Sequence, residues 1–147
     1  MSAGFRESKT RILVIEDNAA DVHLLQRALA SAELNCELTI VEDGAEALAL
    51  VGQRGKYATF PPPDLAIVDL NLPKHSGLEV VEKMRANPHF AGVPVMIFTS
   101  SSSSRERVKL EPYRVARFVT KPPDLDEFLQ IGMIVRELLL EIGIIQS

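Results

Sequence analysis

Short apolar runs alternating with helical patterns limit what this chain can fold into. The runs are Ile12–Ile15, Leu38–Val41, Leu65–Val68, Val93–Phe98 and the pair Phe118-Val119. Each reads as a strand, and Ile12–Ile15 and Leu65–Val68 are apolar throughout. Between them the spacing changes. From Asp21 onward, Val22, Leu25, Leu29 and Ala32 recur at three- and four-residue intervals, which predicts a helix. Ala45, Leu48 and Ala49 predict a short second helix, and Leu78 to Arg85 a third. Gly52 to Pro63 reads as a loop, by its glycines and three prolines. A charged, weakly patterned segment leads to Tyr113, and a long apolar helix begins at Leu125. Five strands alternating with five helices imply an α/β domain with a parallel sheet covered on both faces.

In such sheets ligands bind beyond the carboxyl ends of the strands. The residues there form a chemical set. Strand one ends in Glu16 and Asp17, strand three in Asp69, strand four in Thr99 and Ser100, and strand five in Lys121. Three carboxylates, two hydroxyls and one ammonium should therefore share one edge. Three crowded carboxylates do not all stay ionised without counter-charge. Lys121 offsets one charge, and a divalent cation would offset more. All the candidate ligands are oxygen, which favours Mg²⁺ and disfavours zinc. A single Asp after a strand is more often a helix cap, the reading given to Asp43. The combined set at four strand ends is hard to explain as caps.

Length and composition narrow the class. The chain has 147 residues, 46% hydrophobic and 24% charged, which suits one core. The net charge of -4 is not that of a nucleic-acid binder. A lone Cys36 excludes an internal disulfide and a cysteine metal cluster. No apolar run approaches the roughly 18 to 20 residues of a bilayer span. The N-terminus lacks the apolar segment of a signal peptide, so a cytoplasmic location is expected. Residues 1–10 read as a tail, and residues 11–147 as one domain with an extended C-terminal helix.

Four segments carry a resemblance: ILVIEDN at 12 to 18, IVDLNLP with Gly77 at 67 to 77, FTSS at 98 to 101, and FVTKP at 118 to 122. Together they resemble the receiver domains of two-component response regulators. That resemblance implies a flavodoxin-like, doubly wound five-stranded sheet of order 2-1-3-4-5 with five helices. It implies that Asp69 accepts a phosphoryl group from a phosphohistidine on a sensor histidine kinase. Glu16, Asp17, Asp69 and the backbone carbonyl of Asn71 would hold Mg²⁺. Thr99 would bond the phosphoryl oxygen, and Lys121 would pair with it; in the serine run that follows Thr99, Ser100 or Ser101 would be a further phosphoryl contact. Phe118, three residues before Lys121, would act with Thr99 as the switch. The Lys121-Pro122 bond is commonly cis in the family. Such a domain is a signalling switch rather than an enzyme, although it catalyses its own phosphorylation and slow dephosphorylation. The long loop resembles stand-alone regulators, some paired with phytochrome-type kinases, that pass the signal through protein contacts or phosphorelay.

The pattern also departs from that family. Arg114-Val115-Ala116-Arg117 lacks the Gly-Ala pair usual before the switch aromatic. Pro112 falls where a fourth helix would run; an internal proline costs about 3 kcal/mol, so that helix should be short. Arg105, Arg107, Lys109, Arg114, Arg117 and Lys121 form a basic run, read as a solvated face or a docking surface for an acidic partner. The Ser100–Ser104 run reads as a loop over the site, and His23, His75 and His89 as surface residues. The last helix is apolar on more than one face, which predicts a homodimer through Phe128, Ile134, Leu138 and Ile142; the alternative is a helix tail packed across the same subunit.

Other functions fit less well. A phosphatase using Asp69 as nucleophile would need a carboxylate two residues later, where Asn71 stands. A flavin or nucleotide module would need a glycine-rich loop after strand one, where Glu16 and Asp17 stand instead. A receiver-like scaffold that is never phosphorylated would have no need of the full acidic set.

Overall fold

The computed structural model describes residues 9–100 and 104–146. Five strands, β1 (Thr10–Ile15), β2 (Cys36–Val41), β3 (Leu65–Val68), β4 (Val95–Thr99) and β5 (Arg117–Thr120), form one parallel sheet of order β2-β1-β3-β4-β5. The apolar runs are continuous because both faces are covered. Ile12, Val14, Leu65, Ile67, Met96 and Phe98 point to one face, while Leu13, Ile15, Ala66, Val68, Val95 and Ile97 point to the other. All twelve are at most 2% exposed.

The first face is covered by α1 (Ala19–Ser31), α5 (Leu125–Leu129) and α6 (Ile131–Glu141), through Leu25, Leu29, Phe128, Ile131, Val135 and Leu138. The second is covered by α2 (Gly44–Val51) and α3 (Gly77–Ala86), with Leu110 of α4 (Ser104–Leu110) added to the same core. Local signals start the helices. The side chains of Asn18, Asp43 and Asp124 accept the N–H of Asp21, Glu46 and Glu127, and Ser76 forms a reciprocal capping box with Glu79. Asp43 is thus a cap, as read.

The last helix differs from expectation in two ways. It breaks at Gln130, where the Gln130 N–H bonds Glu127 O at 3.1 Å and the Met133 N–H bonds Gln130 O at 3.0 Å, a tighter turn than α. Gly132 then lies against α1: a Cβ there would sit 2.1 Å from Ala28 O. Arg136 donates to Ala32 O at 3.0 Å, satisfying a carbonyl at the end of α1. Much of the apolar excess is therefore spent inside the subunit. Phe128 and Leu138 are 4% and 2% exposed, and Ile134 and Ile142 are half-buried against the same core. This corrects the placing of Phe128 and Leu138 on a dimer surface, because the sheet and α1 already cover them.

The segment around Pro112 follows expectation. α4 stops at Leu110, and Glu111–Tyr113 forms a 3₁₀ turn with Pro112 in its first positions. Arg85 on α3 clamps this turn, donating to Tyr113 O, Ala91 O and Val93 O at 2.8, 3.1 and 2.8 Å. Tyr113 Oη donates to Glu82 at 2.9 Å. Arg114, which follows the turn, is left-handed with φ 49°. The stretch that lacks the expected glycine thus still includes a conformation that glycine adopts more cheaply.

Candidate functional site

The strand ladders continue past the strands and set the site. The Glu16 N–H bonds Val41 O at 2.9 Å, the Asp69 N–H bonds Ile15 O at 3.0 Å, and the Lys121 N–H bonds Thr99 O at 2.7 Å. Each residue that follows an apolar strand is thereby held by its neighbour's backbone. Gly77 brings α3 under the β3 end: a Cβ there would lie 2.3 Å from Asp69 O and 2.8 Å from the Leu70 Cα. Only a residue without a side chain fits that approach.

Lys121 stands at the centre. Its Nζ lies 2.6 Å from Glu16 Oε1, 2.8 Å from Asp21 Oδ2 and 3.0 Å from Asp69 Oδ2. The side chains of Lys121, Glu16 and Asp69 are only 9%, 6% and 6% exposed. Burial works against the Lys121 ammonium, but hydrogen bonds to Asp21, Glu16 and Asp69 outweigh it and raise its pKa. Burial pushes the Glu16 carboxyl up to about 7; Asp69's charge adds to this, while the Lys121 hydrogen bond opposes it. Glu16 Oε2 also accepts the Asn18 N–H at 3.1 Å, and Asp69 Oδ1 accepts the Asn71 N–H at 3.0 Å.

Carboxylate oxygens of Glu16, Asp17 and Asp69 lie within 4.8 Å of one another. This oxygen-only trio, with Asp17 exposed, fits a hard divalent cation such as Mg²⁺. Thr99 is fully buried at the end of β4 and accepts from Asn71 Nδ2 at 3.4 Å. Ser100 is exposed at the rim of a cleft of about 540 Å³ that it lines with Asp21, Leu24, Lys121, Pro122 and Leu125. Ser101–Ser103 lie outside the described residues, and Ser104 opens α4.

The site brings together Glu16, Asp17, Asp69, Asn71, Thr99 and Lys121, the residues expected at the strand ends. Phe118 lies on β5 beside Ile97, three residues before Lys121, half-buried, with the Arg107 guanidinium 4.3 Å from its ring centroid. The basic run is dispersed rather than a single patch: Lys121 is in the site, Arg107 stacks on Phe118, and Arg117 pairs with Glu141 at 2.9 Å. His75 contacts Glu79 at 3.2 Å on the surface. The Lys121–Pro122 bond is not cis, which corrects that expectation. The sequence pattern marks Asp21 only as the start of a helix and does not place it in the site. Its available signal was an acid in the first helical turn after Glu16-Asp17.

Residues 12–131 match the response regulator receiver domain family. The chain is 33% identical over 130 residues to the response regulator Rcp1 of Synechocystis sp. (strain ATCC 27184 / PCC 6803 / Kazusa), covering 88% of each. Its fold superposes on the phosphorylated cyanobacterial phytochrome response regulator RcpA with a TM-score of 0.84, at 34% identity, over 92% of this chain and 96% of that one. It also superposes on the Mn²⁺-bound form of Rcp1 with a TM-score of 0.82, at 32% identity, over 90% and 95% of the two chains. The sheet order, the acidic pocket at its edge and these matches agree, and the chain belongs to the response regulator receiver domain family.

Proposed function

We propose that this receiver is a phosphorylation switch in which Asp69 accepts a phosphoryl group from a phosphohistidine on a sensor histidine kinase. The observation that carries this is the position of Asp69. It is buried at the end of the central strand, joined to Lys121 and within reach of Glu16 and Asp17. Phosphoryl transfer asks a protein mainly for positioning and charge stabilisation, and this edge supplies both. Glu16, Asp17, Asp69 and the Asn71 carbonyl would hold Mg²⁺, which when bound neutralises charge on the phosphoryl oxygens. Lys121 would turn one of its protons from a carboxylate to a phosphoryl oxygen, and Thr99 would bond another, with Ser100 at the rim. RcpA is described as a phytochrome response regulator, which supports a phytochrome-type kinase as the donor, and the Mn²⁺-bound form of Rcp1 supports a divalent ion in the acidic site.

Movement of Thr99 would let Phe118 leave Arg107 and turn inward, passing the signal to the face around α4 and β5. Phe118 lacks a hydroxyl, so it would act through packing. The alternative role, as a relay that hands the phosphoryl group on, uses the same Asp69 chemistry.

Incubation with Mg²⁺ and acetyl phosphate, followed by intact mass measurement, tests the assignment. A phosphoryl adduct that disappears in Asp69→Asn is expected. No adduct, or one that survives the substitution, would sink it.

A further inference from the structure

The Lys121 ammonium has three N–H donors, and three carboxylates accept from it at 2.6, 2.8 and 3.0 Å. Two of these, Glu16 and Asp69, belong to the oxygen trio that fits a divalent cation. Asp21 does not. It stands in the first turn of α1, where its N–H is fixed 3.0 Å from Asn18 Oδ1, so its place depends on the helix cap rather than on a strand end. Its side chain is 22% exposed and lines the cleft beside Lys121.

We infer that Asp21 is a positioning residue for Lys121: it draws the ammonium toward α1 and so allows Glu16 and Asp69 to turn to a divalent cation. The inference rests on the reading that Glu16, Asp17 and Asp69 hold Mg²⁺. Lys121 and the cation compete for the same two buried carboxylates. Without Asp21, a cation that took both would leave a buried ammonium with no ion-pair partner among these carboxylates, facing the Phe98 ring 5.8 Å away. With Asp21 in place, the ammonium keeps a charged partner through the exchange. Asp21 also keeps Lys121 beside the cleft, where a phosphoryl group would arrive.

The test is a Mg²⁺ titration of the unphosphorylated protein, followed by amide NMR shifts at the strand ends. Asp21→Asn and Asp21→Ala should weaken Mg²⁺ binding about fivefold, within the range by which groups in one ion-pair network couple. The same substitutions in a Lys121→Met background should change it by less than about twofold, because the competing ammonium is gone. Lys121→Gln provides a second neutral background. The cap acceptor is the Asn18 side chain, so either replacement at residue 21 keeps the helix start, and thermal unfolding confirms it. Unchanged affinity on replacing Asp21 would overturn the inference, and so would an equal loss in both backgrounds, which would leave Asp21 as a mere through-space charge. If the unaltered protein shows no Mg²⁺-dependent shifts, the metal reading itself fails and takes the inference with it.

Discussion

Replacing Lys121 with methionine keeps an unbranched apolar stem, one atom shorter, and removes one charge from the centre of the site. Glu16 and Asp69, each 6% exposed, then face each other without their shared ammonium. Breaking a buried ion pair from one side costs about 3–5 kcal/mol. Two effects reduce that figure. Asp21 is partly solvated, and Glu16, already pushed up to about 7, can take a proton near neutral pH. The expected loss is therefore about 3 kcal/mol at pH 8 without metal, and less at pH 6. For a chain of this size that is a fall of about 6–12 °C in midpoint temperature. Mg²⁺ should restore more stability to the variant than it adds to the unaltered protein, because in the variant it does not displace an ammonium. Thermal unfolding at both pH values, with and without Mg²⁺, measures all of this. A variant as stable as the unaltered protein at pH 8, or one that gains no more from Mg²⁺, would refute the idea that Lys121 neutralises this cluster.

Two further predictions follow from the geometry. Glu16 holds its proton up to about 7 in the folded chain, against 4.5 when exposed. The folded state therefore binds more protons across that window, so metal-free stability should fall as pH rises from 4.5 to 7 and level off above, a change of about 3 kcal/mol at most, read from urea midpoints. Gly77→Ala places a Cβ against Asp69 O and the Leu70 Cα, both backbone atoms that give little. It should cost about 3 kcal/mol and lower the yield of acetyl-phosphate adduct, since α3 must withdraw from the β3 end.

Much of this protein is legible from local pattern. The runs at Ile12–Ile15 and Leu65–Val68 are apolar at every position because both sheet faces are covered, and that alone indicates a parallel α/β layer. Polar residues after each strand mark the binding edge, because parallel strands all end on the same side. Pro112 shortens α4 by a backbone rule that needs no tertiary knowledge. Packing decided the rest. Apolar positions on the last helix state that they will be buried but not against what, and only the close approach of α6 to α1 at Gly132 shows that Phe128 and Leu138 are used internally. Asp21 looked like an ordinary residue of a first helical turn. It joins the site because Lys121, 100 positions away in the chain, reaches back across the sheet edge to within 2.8 Å. Strand ends are set by ladder register, which a sequence pattern reveals; a side chain arriving from a neighbouring helix depends on how that helix lies on the sheet, and only the assembled core determines that.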